Sequence, residues 1–185
     1  LRTRLAAKSM QLDEAIQSLH IKISGCFNSC GQHHVADLGF YGVSRKVSGY
    51  AVPHFQVVLG GEWTNNAGSY GLPMVAIPSK NIPDLVGRIS ERYVMSRERG
   101  ESFQQFVKRI GKAEVRKLVD DLVRVPADRE DRFYFSDWGD PREYSIDDIG
   151  VGECAGEVIS SIEFDLAAAF RELGTRPGIA VADML

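Results

Sequence analysis

Ser24-Gly25-Cys26-Phe27-Asn28-Ser29-Cys30-Gly31-Gln32-His33-His34-Val35-Ala36-Asp37-Leu38-Gly39-Phe40-Tyr41-Gly42 is the stretch on which the reading of this chain turns. Before it, His20-Ile21-Lys22-Ile23-Ser24 alternates polar and apolar residues and stops at Gly25, the pattern of a short strand feeding a tight loop. After it, Leu38 and Phe40 alternate with Asp37 and Gly39, which predicts a second strand. The loop between the two strands carries both Cys26 and Cys30. Two thiolates spaced Cys-x3-Cys can meet one metal or one cluster, and the flanking glycines let backbone approach it closely. Spacing alone leaves three chemistries open. One is half the ligand set of a cubane cluster, which needs four thiolates; another is a zinc site built from Cys26, Cys30 and one of His33 or His34; the third is a dithiol switch.

Outward from the loop the chain stays sheet-like before it turns helical. Phe55-Gln56-Val57-Val58-Leu59 ends at Gly60-Gly61 and predicts a third strand; a polar, glycine-rich loop covers Glu62 to Gly71; Met74-Val75-Ala76-Ile77, stopped by Pro78, predicts a buried strand. From Asn81 the apolar period lengthens. Ile82, Leu85, Val86, Ile89 and Tyr93 follow helical spacing, with Asn81 as cap and Gly100 as terminator. Phe103, Phe106, Val107 and Ile110 repeat the pattern between Ser102 and Gly111, and Val115, Leu118, Val119 and Leu122 make a third helix. Such stripes read as a helical layer over one face of a sheet. Upstream, Leu5, Leu12, Ile16 and Leu19 suggest one or two opening helices. Downstream, Pro126 to Arg132 is a polar linker, Phe133-Tyr134-Phe135 reads as a short strand before a turn, and Ile159 to Leu173 as an amphipathic helix. The expected organisation is an α+β domain over residues 1–124, a mixed sheet covered by helices, and an extension over 125–185.

Composition narrows the function classes. The 185 residues are 44% apolar and 25% charged, with 22 Lys plus Arg against 25 Asp plus Glu and a net charge of −3. No overall basic field recruits nucleic acid or an anionic membrane, and no apolar run approaches the roughly 20 residues that span a bilayer. The expectation is a soluble, cytoplasmic protein. Three cysteines do not make a disulfide scaffold. Cys154, at the start of the last helix, sits beside Glu153 and Glu157, which oppose thiolate formation, so it reads as a packing residue. The chain opens on Leu1 in place of Met, which suggests part of a longer protein.

The full string from Ser24 to Gly42 resembles the signature of the nitrite and sulfite reductase family. In those siroheme and 4Fe-4S hemoproteins the second cysteine pair lies in a Ser/Thr-Gly-Cys-Pro-Asn-x-Cys-Gly loop that leads into an Ala-Asp-x-Gly strand. The Phe55 to Gly61 strand, the Met74 to Pro78 strand, Ile82-Pro83 and Glu101-Ser102-Phe103-Gln104-Gln105-Phe106-Val107 follow the same order. The resemblance covers about residues 1–123. It implies that Cys26 and Cys30 each ligate cluster iron, that Cys30 also bridges the cluster to siroheme iron, and that Asn28, Gln32 and His33 lie near the macrocycle. It implies six-electron reduction of sulfite to sulfide or of nitrite to ammonia, with a small oxyanion as substrate and a ferredoxin or flavoprotein as electron donor. Two departures stand out. Phe27 occupies the family's proline position, and the family's first pair, spaced Cys-x5-Cys, is absent. By resemblance, then, this is the C-terminal portion of an enzyme, incomplete without an N-terminal half.

Overall fold

The computed structural model describes residues 14–64, 68–125 and 132–146. A single helical turn, α1 (Glu14–Gln17), precedes β1 (Ile21–Ser24). After the cysteine loop come β2 (Leu38–Val47), β3 (Tyr50–Leu59) and β4 (Leu72–Pro78), then the helices α2 (Ile82–Ser96) and α3 (Phe103–Leu118). The sheet has four strands in the order β1-β2-β3-β4. β1 runs parallel to β2, from Ile21↔Leu38 to Ser24↔Tyr41, whereas β2–β3 and β3–β4 are antiparallel. The expected mixed sheet with helices is therefore the observed one.

The strands at the centre extend well beyond the sequence expectation. β2 and β3 form a ten-pair hairpin that closes with Val47↔Tyr50 around Ser48 and Gly49, whose φ values are 50° and 86°. Two left-handed residues make the turn that matches the right-handed twist of paired strands. Ser48-Gly49 was the available signal. Pro53 lies within β3, although proline belongs at sheet edges. It is tolerated because β4 pairs with β3 only from His54↔Pro78 onward, leaving Pro53 without a strand partner on that side among the described residues.

One face of the sheet carries the core. Leu38, Phe40, Val57, Leu59 and Ile77 pack against Ile82, Leu85, Val86 and Ile89 of α2 and Phe103, Phe106, Val107 and Val115 of α3, all buried. Alternation places Gly39 and Tyr41 on the other face. α3 begins with a full capping box: Gln105 N–H donates to Ser102 Oγ at 3.2 Å and Ser102 N–H to Gln105 Oε1 at 2.9 Å. Gly111, at φ 74° and ψ 166°, breaks the helix as expected, and the chain resumes through Val115 before a 3-10 turn over Asp120–Val123.

Three local expectations are corrected. Asn81 does not cap α2 with its side chain; its amide donates to Leu122 O at 2.8 Å and accepts from Tyr134 Oη at 3.2 Å. α2 ends at Ser96, with Arg97 as its C-cap, ahead of Gly100. Phe133-Tyr134-Phe135 is not a strand but part of a 3-10 turn, Arg132–Phe135. Aromatic contacts explain that last difference. Phe135 is buried edge-on to Tyr50, Trp138 Nε1 donates to Ser79 O at 2.9 Å, and Lys80 Nζ donates to Asp137 O while lying 4.9 Å from the centres of the Phe133 and Trp138 rings. The expected helix over Ile159 to Leu173 and Cys154 lie outside the described residues.

The α2–α3 junction has a testable acid dependence. Arg109 grips Glu101 through Nε at 2.6 Å and Nη2 at 2.7 Å, and the Glu98 N–H donates to the same carboxylate. Arg109's hydrogen bonds hold the Glu101 pKa down from 4.5 to about 2. A depressed carboxylate contributes stability that is present above its unfolded pKa and lost as pH falls through the folded one. The melting temperature is therefore expected to fall between pH 4.5 and about 2. Melting curves of wild type and Arg109→Met should be separated at neutral pH and converge at the acid end of that range.

Candidate functional site

The segment from Gly25 to Asp37 is a crossover between two parallel neighbours, β1 and β2. It lies flat on the face of β2 opposite the helices, and glycines permit this. On that face a Cβ on Gly39 would stand 1.9 Å from the His33 carbonyl oxygen; on the alternate face, where the segment leaves β1 beside β2, one on Gly42 would stand 2.2 Å from that of Gly25. Gly31 is required for space as well, since its Cβ would meet Ile23 O at 2.6 Å and Ser24 Oγ at 2.9 Å. No side chain other than hydrogen satisfies these approaches without moving backbone.

Cys26 is half-buried and Cys30 exposed, and both thiols are free. Asn28 is exposed between them, and Phe27, at the family's proline position, is 52% exposed. The turn around Cys30 is held in an unusual backbone conformation: Ser29 has φ 60° and Gln32 φ 57°. Non-glycine residues occupy that region at a cost of order 1 kcal/mol and persist where their surroundings over-determine them.

His33 is 4% exposed, stacks on Tyr41 with ring centres 4.7 Å apart, and places Nδ1 2.9 Å from Ser24 Oγ. The same Ser24 oxygen accepts the Gly31 N–H at 3.2 Å. Burial, and secondarily the adjacent His34, push the His33 pKa below the ordinary histidine value, so the imidazole is neutral at pH 7. His34 directs Nδ1 to Ser29 Oγ and meets Tyr70 edge-on at 4.5 Å. Gln32 is exposed, and its Oε1 accepts from Lys22 Nζ at 2.7 Å. The sequence reading singled out Cys26, Asn28, Cys30, Gln32 and His33, all of which the structure places on this one crossover. It missed Lys22, Ser24 and Ser29, because only folding shows which polar partners the loop selects.

The described residues do not assemble the ligand set of the zinc alternative. Among the described residues no three His, Cys, Asp or Glu side chains converge where a metal ion would sit. Both imidazole Nδ1 atoms are instead directed to serine hydroxyls. For a cubane the donor chemistry fits in half: Cys26 and Cys30 supply two thiolates, and the other two have to come from outside the described residues.

Residues 17–126 match the family model described as the nitrite and sulphite reductase 4Fe-4S domain. Over 119 residues the chain is 36% identical to sulfite reductase (ferredoxin) 1 of Mycolicibacterium paratuberculosis, an alignment covering 63% of this chain and 21% of that protein. It is 24% identical over 103 residues to the assimilatory ferredoxin-dependent nitrite reductase of Haloferax mediterranei, covering 56% of this chain and 18% of that one. In structure it is similar to the Mycobacterium tuberculosis NirA protein, with a TM-score of 0.53 and 33% identity over 63% of this chain and 21% of the other. The chain thus spans about a fifth of the length of these relatives.

Proposed function

The chain belongs to the nitrite and sulphite reductase 4Fe-4S domain family, and from that premise we propose that it is the C-terminal cofactor-binding part of a reductase taking sulfite to sulfide or nitrite to ammonia. The observation that carries this reading is the Cys-x3-Cys crossover itself, two free thiols on a glycine-seated loop between parallel strands. In the intact enzyme Cys26 and Cys30 would supply two thiolates to a 4Fe-4S cluster, and Cys30 would be the residue that also serves the siroheme. When bound, the pair of groups stores electrons and delivers them singly to a small oxyanion.

This chain's residues contribute position and environment. β1 and β2 fix the two ends of the loop, while Ser24 and Ser29 engage His33 and His34. Asn28 and the Gln32 amide nitrogen face the macrocycle side in this proposal, and His33, buried and neutral, supports the loop from beneath. Ferredoxin appears in the names of the relatives and is the favoured electron donor class, with a flavoprotein as the other. The missing portion of the enzyme supplies the remaining thiolates and the cationic residues that grip the substrate. Residues 1–124 form the cofactor domain in this reading and 125–185 an extension.

Metal and cofactor analysis of the longer gene product tests the proposal. Iron and labile sulfide at about four each per chain, together with a siroheme absorption band, are expected. The 185-residue chain purified alone is expected to be colourless, with only part of the ligand set. Stoichiometric zinc and no chromophore in the longer product would overturn the assignment.

A further inference from the structure

We propose that Lys22, Ser24, His33 and His34 are positioning residues that clamp the Cys30 turn from both sides and hold its thiolate in one orientation before any metal arrives. Ser29, immediately before Cys30, is left-handed and tied through Oγ to His34 Nδ1. Gly31, immediately after it, is tied through its N–H to Ser24 Oγ, which lies 2.9 Å from the buried His33 Nδ1. Gln32, the second left-handed residue, is held through Oε1 by Lys22 at 2.7 Å, and its N–H closes the turn on Ser29 O at 2.7 Å. Each histidine therefore secures one neighbour of Cys30, and the lysine secures the strained residue beyond.

The rings that carry these nitrogens are themselves fixed. His33 is stacked on Tyr41 of β2, His34 is edge-on to Tyr70, and the His33 carbonyl lies against the bare backbone of Gly39. Strain at Ser29 and Gln32 is thus met by side chains of β1 and of the crossover itself, the condition under which left-handed non-glycine residues persist at sites needing a fixed geometry. The inference deepens the reading of Cys30 as a cluster ligand and rests on it for its purpose. The clamp itself exists in the chain without cofactor.

Backbone amide exchange on the 185-residue chain tests the clamp directly. In Ser24→Ala and His34→Gln the Gly31 and Gln32 amides are expected to exchange about tenfold faster or more, while amides of the β2–β3 hairpin keep their wild-type rates. His34→Asn, whose amide nitrogen falls near the position of Nδ1, should restore slow exchange at both. Lys22→Met should accelerate Gln32 more than Gly31. In the reductase loaded with its cluster, the electron paramagnetic resonance spectrum of the reduced cluster is expected to shift in His34→Gln and to return in His34→Asn. Unchanged exchange at Gly31 and Gln32, or equal acceleration across β2 and β3, would overturn the clamp and leave only a general stabilising role. Exchange that follows the clamp pattern in a chain whose longer gene product carries no cluster would refute the ligand assignment and leave the clamp standing.

Discussion

Gly39→Ala is expected to destabilise the domain by more than about 3 kcal/mol, a fall in melting temperature of roughly 10 °C or more. The new methyl would lie 1.9 Å from the His33 carbonyl oxygen, with the His33 carbonyl carbon at 2.8 Å, so backbone must move. The clash is with the crossover, so the displacement should reach the cysteine loop first and disturb Ser24, Ser29 and their histidines. Gly87→Ala provides the opposite sign. It sits in α2 with nothing within 4 Å of its Cβ position, and alanine there should stabilise by about 0.5–1 kcal/mol. Chemical denaturation of the two variants checks the pair. A Gly39→Ala chain as stable as wild type would mean that the crossover does not lie flat on β2.

Cys30→Ser in the intact reductase is expected to lower turnover by more than about a hundredfold, since even partners that merely support a ligand are worth roughly 10–100-fold. Serine replaces a soft, polarizable thiolate by a harder oxygen at the position assigned to both cofactors. Cys26→Ser would remove the thiolate proposed as one cluster ligand and leave Cys30 intact. Its primary defect should be in iron and labile sulfide content, with siroheme affected secondarily. Paired spectroscopy and turnover on the two variants separate the roles, and a Cys30→Ser enzyme that keeps magnetic coupling between cluster and siroheme and near-normal turnover would remove the basis for reading this loop as catalytic.

Much of the architecture is local chemistry and was legible in one dimension. Period-two alternation at Ile21 to Ser24 and Leu38 to Phe40, period-3.6 spacing at Ile82 to Tyr93, and the Ser102 cap all act within a few residues, and each element stands where its pattern predicts. The Ser48-Gly49 turn was equally local. The register that leaves the hairpin tip unpaired by β4 is a property of the sheet. The clustering of Cys26, Asn28, Cys30, Gln32 and His33 followed from adjacency, because a loop of that length between paired strands keeps its residues together.

The sequence by itself determined that this chain makes strands, a cysteine loop between two of them and a helical layer, and that the loop resembles the family's signature. Only the tertiary structure decided where polar side chains spend their hydrogen bonds. Asn81 has a capping residue's chemistry, yet Leu122 and Tyr134, more than forty positions away, hold its amide. Phe133-Tyr134-Phe135 has strand composition but turns, with Phe135 packed edge-on to Tyr50 and its aromatic neighbourhood tied to Ser79 and Lys80. His33 and His34 have the chemistry of ligands, yet one turns its Nδ1 to Ser24 at the end of β1 and the other to Ser29 of the crossover. Periodicity is settled by near neighbours along the chain. The partner of a buried polar group is settled by a competition among all the donors and acceptors that folding brings within about 3 Å.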